Sequence, residues 1–173
     1  MKKFLALFLA LMLCFAFVGC GGNDAAADGQ QEDNTPPEPT TYGVGDTWEV
    51  EGQWKLTIDG VKVTDERNEW SGKEPAQVVI IDYTYENLGY EDQNGIMDGL
   101  YFDLDFQQIV DADGEMGYSY PVDVKYPDEV PVNARCSAQA GIGFNNEGNS
   151  FTMYVSQYDG NGEEQEATFV LEY

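Results

Sequence analysis

The run VVIIDYTYEN, from Val78 to Asn87, sets Val79, Ile81, Tyr83 and Tyr85 on one side of an extended chain and Asp82, Thr84 and Glu86 on the other. A period of two, written in β-branched and aromatic residues, marks a strand that covers a core with one face. The alternation recurs in both directions from there. Upstream, Trp54, Leu56 and Ile58 alternate with Lys55 and Thr57, and after Asp59-Gly60 the pattern resumes at Val61 and Val63, as in a strand carrying a bulge. Downstream it returns in Phe102, Leu104 and Phe106, set against Tyr101, Asp103 and Asp105. It returns again in Cys136, Ala138, Ala140, Ile142 and Phe144, then in Phe151, Met153 and Val155, and last in Ala167, Phe169, Leu171 and Tyr173. Turn chemistry separates the runs at Ser71-Gly72, Asn94-Gly95, Asp113-Gly114, 145–148 and 159–162. No apolar stripe at helical spacing interrupts them. The expected fold is all-β, with about seven antiparallel strands. One-sided sheets bury their apolar faces by stacking, so a β-sandwich is expected; a closed barrel is the other solution.

Composition narrows the functional classes. The 173 residues include 32 acidic and 8 basic side chains and no histidine, a formal charge of −24. Nucleic-acid binding rests on Lys and Arg neutralising phosphates, so no nucleic-acid partner is expected. A histidine triad, a histidine–metal site and a histidine proton shuttle are excluded outright. The acid excess reads either as a solvated surface or as attraction for cations and basic partners.

The N-terminus reads as an address. Lys2 and Lys3 precede an unbroken apolar run from Phe4 to Val18, the layout of a secretory signal peptide over residues 1–19. At ~1.5 Å per residue such a run reaches about 22 Å, short of the roughly 30 Å hydrocarbon core, so a permanent span is not expected. The run ends in Phe17-Val18-Gly19-Cys20, which resembles a bacterial lipobox, with Phe17 where Leu is usual. The resemblance implies that Cys20 becomes the mature N-terminus and that its Sγ is joined to a diacylglycerol. Cleavage beside an unmodified cysteine is the alternative. Two acyl chains, at ~0.8 kcal/mol per buried CH₂, hold a protein to a leaflet far more durably than one. The expected location is therefore the outer face of the cell membrane. Residues 20–41 form a linker without an aromatic or large aliphatic side chain, too polar to offset its ordering entropy. Residues 42–173 hold all three Trp and all eleven Tyr and form one domain. With Cys14 removed and Cys20 lipidated, Cys136 is left alone, so no intramolecular disulfide is expected, and its alternating apolar run predicts a buried small hydrophobe.

Several segments are familiar together. The entry Gly43-Val44-Gly45-Asp46-Thr47, the strand 78–87, the turn Val110-Asp111-Ala112-Asp113-Gly114 and the late strand ending at Phe144 resemble immunoglobulin-like lipoprotein domains of Gram-positive bacteria. Many of these are domains of unknown function, similar in fold to a small secreted mycobacterial antigen. Where that family often has Pro-Gly before the late strand, this chain has Pro131-Val132-Asn133. The resemblance implies a sandwich on a lipid anchor and brings no catalytic residue.

Candidate chemistry is sparse. Asp111, Asp113 and Glu115 alternate beside Gly114, an oxygen-rich loop of the kind that binds Ca²⁺, yet no bidentate acid closes the set as in an EF-hand. Asp-Gly between strands equally satisfies a hairpin turn. Glu91, Asp92, Asn94 and Asp98 make a second polar loop. Paired carboxylates can hydrolyse glycosidic bonds, but nothing singles out one pair, so no enzyme is expected. Gly141 and Gly143 sit in a strand pattern and not in a phosphate loop. Tyr118, Tyr120 and Tyr126 cluster in the long loop from Asp111 to Asn133, stiffened by Pro121, Pro127 and Pro131. Amphipathic rings on a pre-ordered loop suit recognition of a protein or a carbohydrate; equally, they can cap the end of the sandwich. Trp48, Trp54 and Trp70 are expected to pack in the core or at its edge. A non-catalytic binding domain and a Ca²⁺-binding domain are the two functional readings.

Overall fold

The computed structural model describes residues 40–173. The segments read as a signal peptide and a linker, with Cys20 between them, lie up to residue 39 outside the described residues. The strands are β1 (Thr41–Tyr42), β2 (Thr47–Val50), β3 (Trp54–Thr64), β4 (Gln77–Asn87), β5 (Gln108–Asp111), β6 (Tyr118–Ser119), β7 (Arg135–Phe144), β8 (Ser150–Tyr158) and β9 (Glu164–Glu172). They form two open sheets, ordered β1-β9-β8-β5 and β2-β3-β4-β7-β6. All pairs are antiparallel except β1 with β9. The fold is a β-sandwich, and among the described residues there is no α-helix. Seven strands have four residues or more, matching the expected number, although β2 and β5 lie outside the alternating runs; β1 and β6 are two residues long and leave no period to read. Thr41, placed in the linker by composition, pairs with Thr168 and begins the domain.

β4 lies at the centre of the larger sheet, and Val79, Ile81, Tyr83 and Tyr85 are all buried. They meet Met153, Val155, Phe169 and Leu171 of the facing sheet in one core. The bulge falls where Asp59-Gly60 predicts it, with the β3–β4 register shifting between Ile58 and Gly60. Trp54 makes edge-to-face contacts with Trp48, Tyr90 and Phe102 at centroid distances of 5.7, 6.0 and 5.7 Å, the arrangement that ring quadrupoles favour. Buried tyrosines still need partners for their hydroxyls. Tyr83 donates to the Phe102 carbonyl at 3.1 Å, and Tyr85 donates to the Asp128 carbonyl while accepting from the Asp128 N–H at 3.0 Å. Burial pushes both hydroxyls well above the usual phenol range.

Asn87, at the end of β4, is fully buried and fully paired. Its amide donates to the carbonyls of Tyr90 (3.0 Å) and Val130 (2.9 Å), and its oxygen accepts from the N–H groups of Gly89 (3.0 Å) and Tyr90 (2.7 Å). It ties the chain leaving β4 to the chain entering β7. In that entry, Asn133 supplies the positive φ (65°) that a Pro-Gly turn would take from glycine, and the Ala134 N–H donates to the Pro131 carbonyl at 3.1 Å.

Two expectations are corrected here. The alternation at 101–106 is not a strand: Leu104–Phe106 is a 3-10 turn, with the Asp103 side chain accepting from the Asp105 N–H at 3.0 Å. Short acidic side chains compete in this way with ladder hydrogen bonds. Phe102 and Leu104 still enter the core, whereas Phe106 swings out and is 85% exposed. Cys136 is half-buried at the core margin and not enclosed.

Candidate functional site

The acidic loops are built as turns. The Asp111 side chain accepts from the N–H groups of Asp113 (3.0 Å) and Glu115 (2.8 Å), and its second oxygen accepts from the Asn146 amide at 3.0 Å. Gly114, with φ of 87°, closes the loop by donating to the Asp111 carbonyl. Partial desolvation pushes the Asp111 carboxyl up, but the Asn146 amide and the N–H groups of Glu115, Asp113 and Gly114 outweigh it and hold the group below the usual range. Asp159 repeats the device between β8 and β9, accepting from Asn161 and Glu163; the Glu163 N–H is the main cause holding it low. Asp92 does so in the second polar loop, lowered by N–H groups of Asn94, Ile96 and Met97. These carboxylates are spent on backbone. Asp111, Asp113 and Glu115 are not assembled as a ligand set, and among the described residues no group of three or more acidic or cysteine side chains is placed to hold a metal ion.

One carboxyl is shifted the other way. Burial, and then the charge of Asp103, raise the Asp105 carboxyl above its usual value, and Asp105 Oδ1 is buried without a hydrogen-bond partner. Asp105 lines neither of the grooves described below.

The three tyrosines separate. Tyr118 lies in β6 and carries Lys73 Nζ 4.2 Å above its ring centroid. Tyr120, a candidate ligand ring by sequence, is 3% exposed and belongs to the foundation: its N–H donates to the Gly141 carbonyl (2.7 Å) and its hydroxyl accepts from the Asn68 N–H (2.8 Å). Only Tyr126 is presented to solvent, at 71% exposure.

Beside Tyr126 stands Trp70, 94% exposed, contrary to the packing role expected of it. The segment Asp65–Gly72 lies outside every alternating run and is mostly charged or turn-forming, which was the available signal that its one large apolar side chain would not be buried. Trp70 and Tyr126 line one groove of about 530 Å³, together with Glu66, Arg67, Glu69, Pro121, Val122 and Asp123. Its two walls are stapled to each other, because the Asn68 amide donates to the Pro121 carbonyl at 3.2 Å and the Asn68 oxygen shapes the turn by accepting from the Trp70 N–H at 2.9 Å. The second wall is also fixed to β7. Lys125 and Gln139 exchange hydrogen bonds of 3.1 and 2.7 Å, and a Cβ at Gly141 would sit 2.5 Å from the Tyr120 carbonyl oxygen, so glycine is what admits the wall this close. Burying an aromatic ring removes ~200 Å² from water at ~25 cal/mol per Å², so an exposed tryptophan forgoes about 5 kcal/mol that a contact can recover. A lone exposed ring needs no explanation; here two stand in one braced groove. A second, smaller groove of about 410 Å³ is lined by residues that include Phe106, Tyr154, Glu164 and Glu166.

No protein-family model and no curated protein sequence matches the chain. Among solved structures, it is similar to the secreted protein MPT63 of Mycobacterium tuberculosis, with a TM-score of 0.53 and 11% identity over 80% of this chain and 100% of that one. At that identity the likeness establishes the fold alone: the described domain shares its β-sandwich architecture with a secreted mycobacterial protein.

Proposed function

We propose that the chain is an exported lipoprotein, anchored through Cys20 to the outer face of the cell membrane, whose immunoglobulin-like sandwich is a recognition module without catalysis. The signal-peptide and lipobox pattern at residues 1–20 supports the anchor, and the likeness to a secreted protein accords with export. The observation that carries recognition is the pair Trp70 and Tyr126, exposed on two walls braced by Asn68 and Tyr120. Such bracing lowers the ordering cost of binding, because the contact rings stand on loops already fixed. The proposal makes protein and carbohydrate ligands the candidates and nucleic acid none.

Two experiments test it. Mass spectrometry of the product from a Gram-positive host should give the mass of a diacylglyceryl-modified Cys20, and Cys20→Ala should move the protein from the membrane to the medium. On arrays of peptides and oligosaccharides, full-length protein in detergent should give signals that Trp70→Ala/Tyr126→Ala abolishes without lowering the melting temperature. Array signals indifferent to both substitutions would remove the groove from the proposal.

A further inference from the structure

We infer that the Trp70–Tyr126 groove receives the cationic side chains of a Lys- or Arg-bearing segment of a basic protein, an inference that rests on the recognition role proposed above. The lining brings together the two features that attract an organic cation. The faces of an indole and a phenol carry negative quadrupole density, and contact with Lys or Arg strengthens as binding desolvates the pair. Around those rings stand Glu66, Glu69 and Asp123, all exposed. The lining contains one cation, Arg67, whose Nη1 is turned onto the carbonyls of Thr64 (3.0 Å) and Glu66 (2.8 Å). The groove therefore keeps a net excess of carboxylates beside open aromatic faces.

The molecule already makes this contact within itself: Lys73 Nζ sits 4.2 Å above the Tyr118 ring. Two further lysines are engaged, Lys55 with Glu49 at 3.4 Å and Lys62 with Asp82 at 3.3 Å, while Lys125 precedes Tyr126 but does not line the groove. Among the described residues, Arg67 is the one cation that lines the Trp70–Tyr126 groove. Charge also decides against other occupants. An anionic ligand would approach a protein of formal charge −24 against repulsion, and a neutral sugar would stack on the rings and donate hydroxyls to the carboxylates but leave their charge uncompensated. A basic segment answers both halves of the lining, and the field of the whole molecule steers it there. The groove is wide and shallow, which fits side chains presented by an extended segment better than an enclosed small molecule.

The test uses full-length protein in neutral detergent with three probes: hexalysine, hexalysine acetylated on every Nε, and neutral cellohexaose. Trp70 is the exposed tryptophan while Trp48 and Trp54 are buried, so the red-shifted component of tryptophan emission reports the groove, and calorimetry gives the dissociation constant. Hexalysine is expected to bind, acetylation to weaken it at least tenfold, and higher salt to weaken it further. Trp70→Ala/Tyr126→Ala and Glu66→Gln/Glu69→Gln/Asp123→Asn should each raise the dissociation constant at least tenfold with melting temperature preserved. Trp70→Phe should recover most of the loss. Glu163→Gln/Glu166→Gln/Glu172→Gln removes the same number of charges from the β9 region and should change the constant less than twofold. Equal loss in that control variant would mean diffuse attraction to an acidic surface and would overturn the inference. Binding of cellohexaose that needs Trp70, with none of hexalysine, would overturn the cationic ligand and leave the recognition role standing. Hexalysine binding indifferent to Trp70 and Tyr126 would remove the groove as its site.

Discussion

Asn87→Ala is the most demanding test of the fold. The substitution deletes four side-chain hydrogen bonds at a site with 0% exposure, leaving the carbonyls of Tyr90 and Val130 and the N–H groups of Gly89 and Tyr90 without those partners. At about 1 kcal/mol for each bond, the loss comes to about 4 kcal/mol, reduced somewhat where water reaches the half-buried Gly89. With a urea m-value of roughly 2 kcal/mol per molar, the unfolding midpoint should fall by about 2 M. Asn87→Asp separates hydrogen bonding from charge. It keeps both accepted bonds but sets a carboxylate against two carbonyl oxygens, so at neutral pH it should be at least as damaging as alanine. Its folded-state pKa is raised, so the damage should ease as pH falls and the acid protonates. Equilibrium urea unfolding followed by near-ultraviolet circular dichroism reads both variants. A midpoint shift of Asn87→Ala below about 0.5 M, or about 1 kcal/mol, would refute the view that this side chain latches the end of β4 to the start of β7.

Four further outcomes are expected. Gly141→Ala, which drives a Cβ onto the Tyr120 carbonyl, should cost about 3 kcal/mol in urea unfolding and displace the groove wall, seen as a changed Trp70 emission. Asp105→Asn should raise the melting temperature at pH 7: burial holds the folded-state pKa above the unfolded one, so the native aspartate loses stability as pH rises through that window, and the gain should shrink toward pH 4. Millimolar Ca²⁺ should leave the melting temperature unchanged, because Asp111 is committed to hydrogen bonds; a rise abolished by Asp111→Asn would contradict this. Trp70→Ala should change stability by less than about 0.5 kcal/mol while removing the solvent-exposed component of the emission spectrum, and a larger loss in thermal melting would mean that the indole packs.

The sandwich was legible wherever one face of a strand is buried along most of its length, because period-two sequence and period-two geometry then coincide. β4, β7, β8 and β9 meet that condition, and Asp59-Gly60 announced the bulge of β3. At 101–106 the same period misled. Phe102 and Leu104 do enter the core, but the Asp103 carboxylate satisfies a local N–H and bends the chain before Phe106 can follow. The groove was half legible. The long loop supplies one wall of it, yet outside a regular element nothing in the spacing tells a buried ring from an exposed one. Tyr120 and Tyr126 therefore looked alike, and only long-range contacts to Asn68 and Gly141 separate them. Trp70 was misjudged on residue type, although its charged neighbourhood already argued against burial.

The staple between the walls has a consequence for how this surface can change. Its hydrogen bonds run through the backbone at Asn68, Pro121, Lys125 and Gly141 and through the side chains of Asn68, Tyr120 and Gln139. None of them uses Glu69, Trp70 or Tyr126 side chains. Apart from Glu66, whose Oε2 also accepts from the Asp123 N–H at 3.4 Å, holding and reading are thus assigned to different atoms, and Glu69, Trp70 and Tyr126 form an interchangeable set. A library varying those three residues should fold at nearly constant stability while its binding preferences diverge, which makes the domain a scaffold whose selectivity can be rewritten without touching its interior.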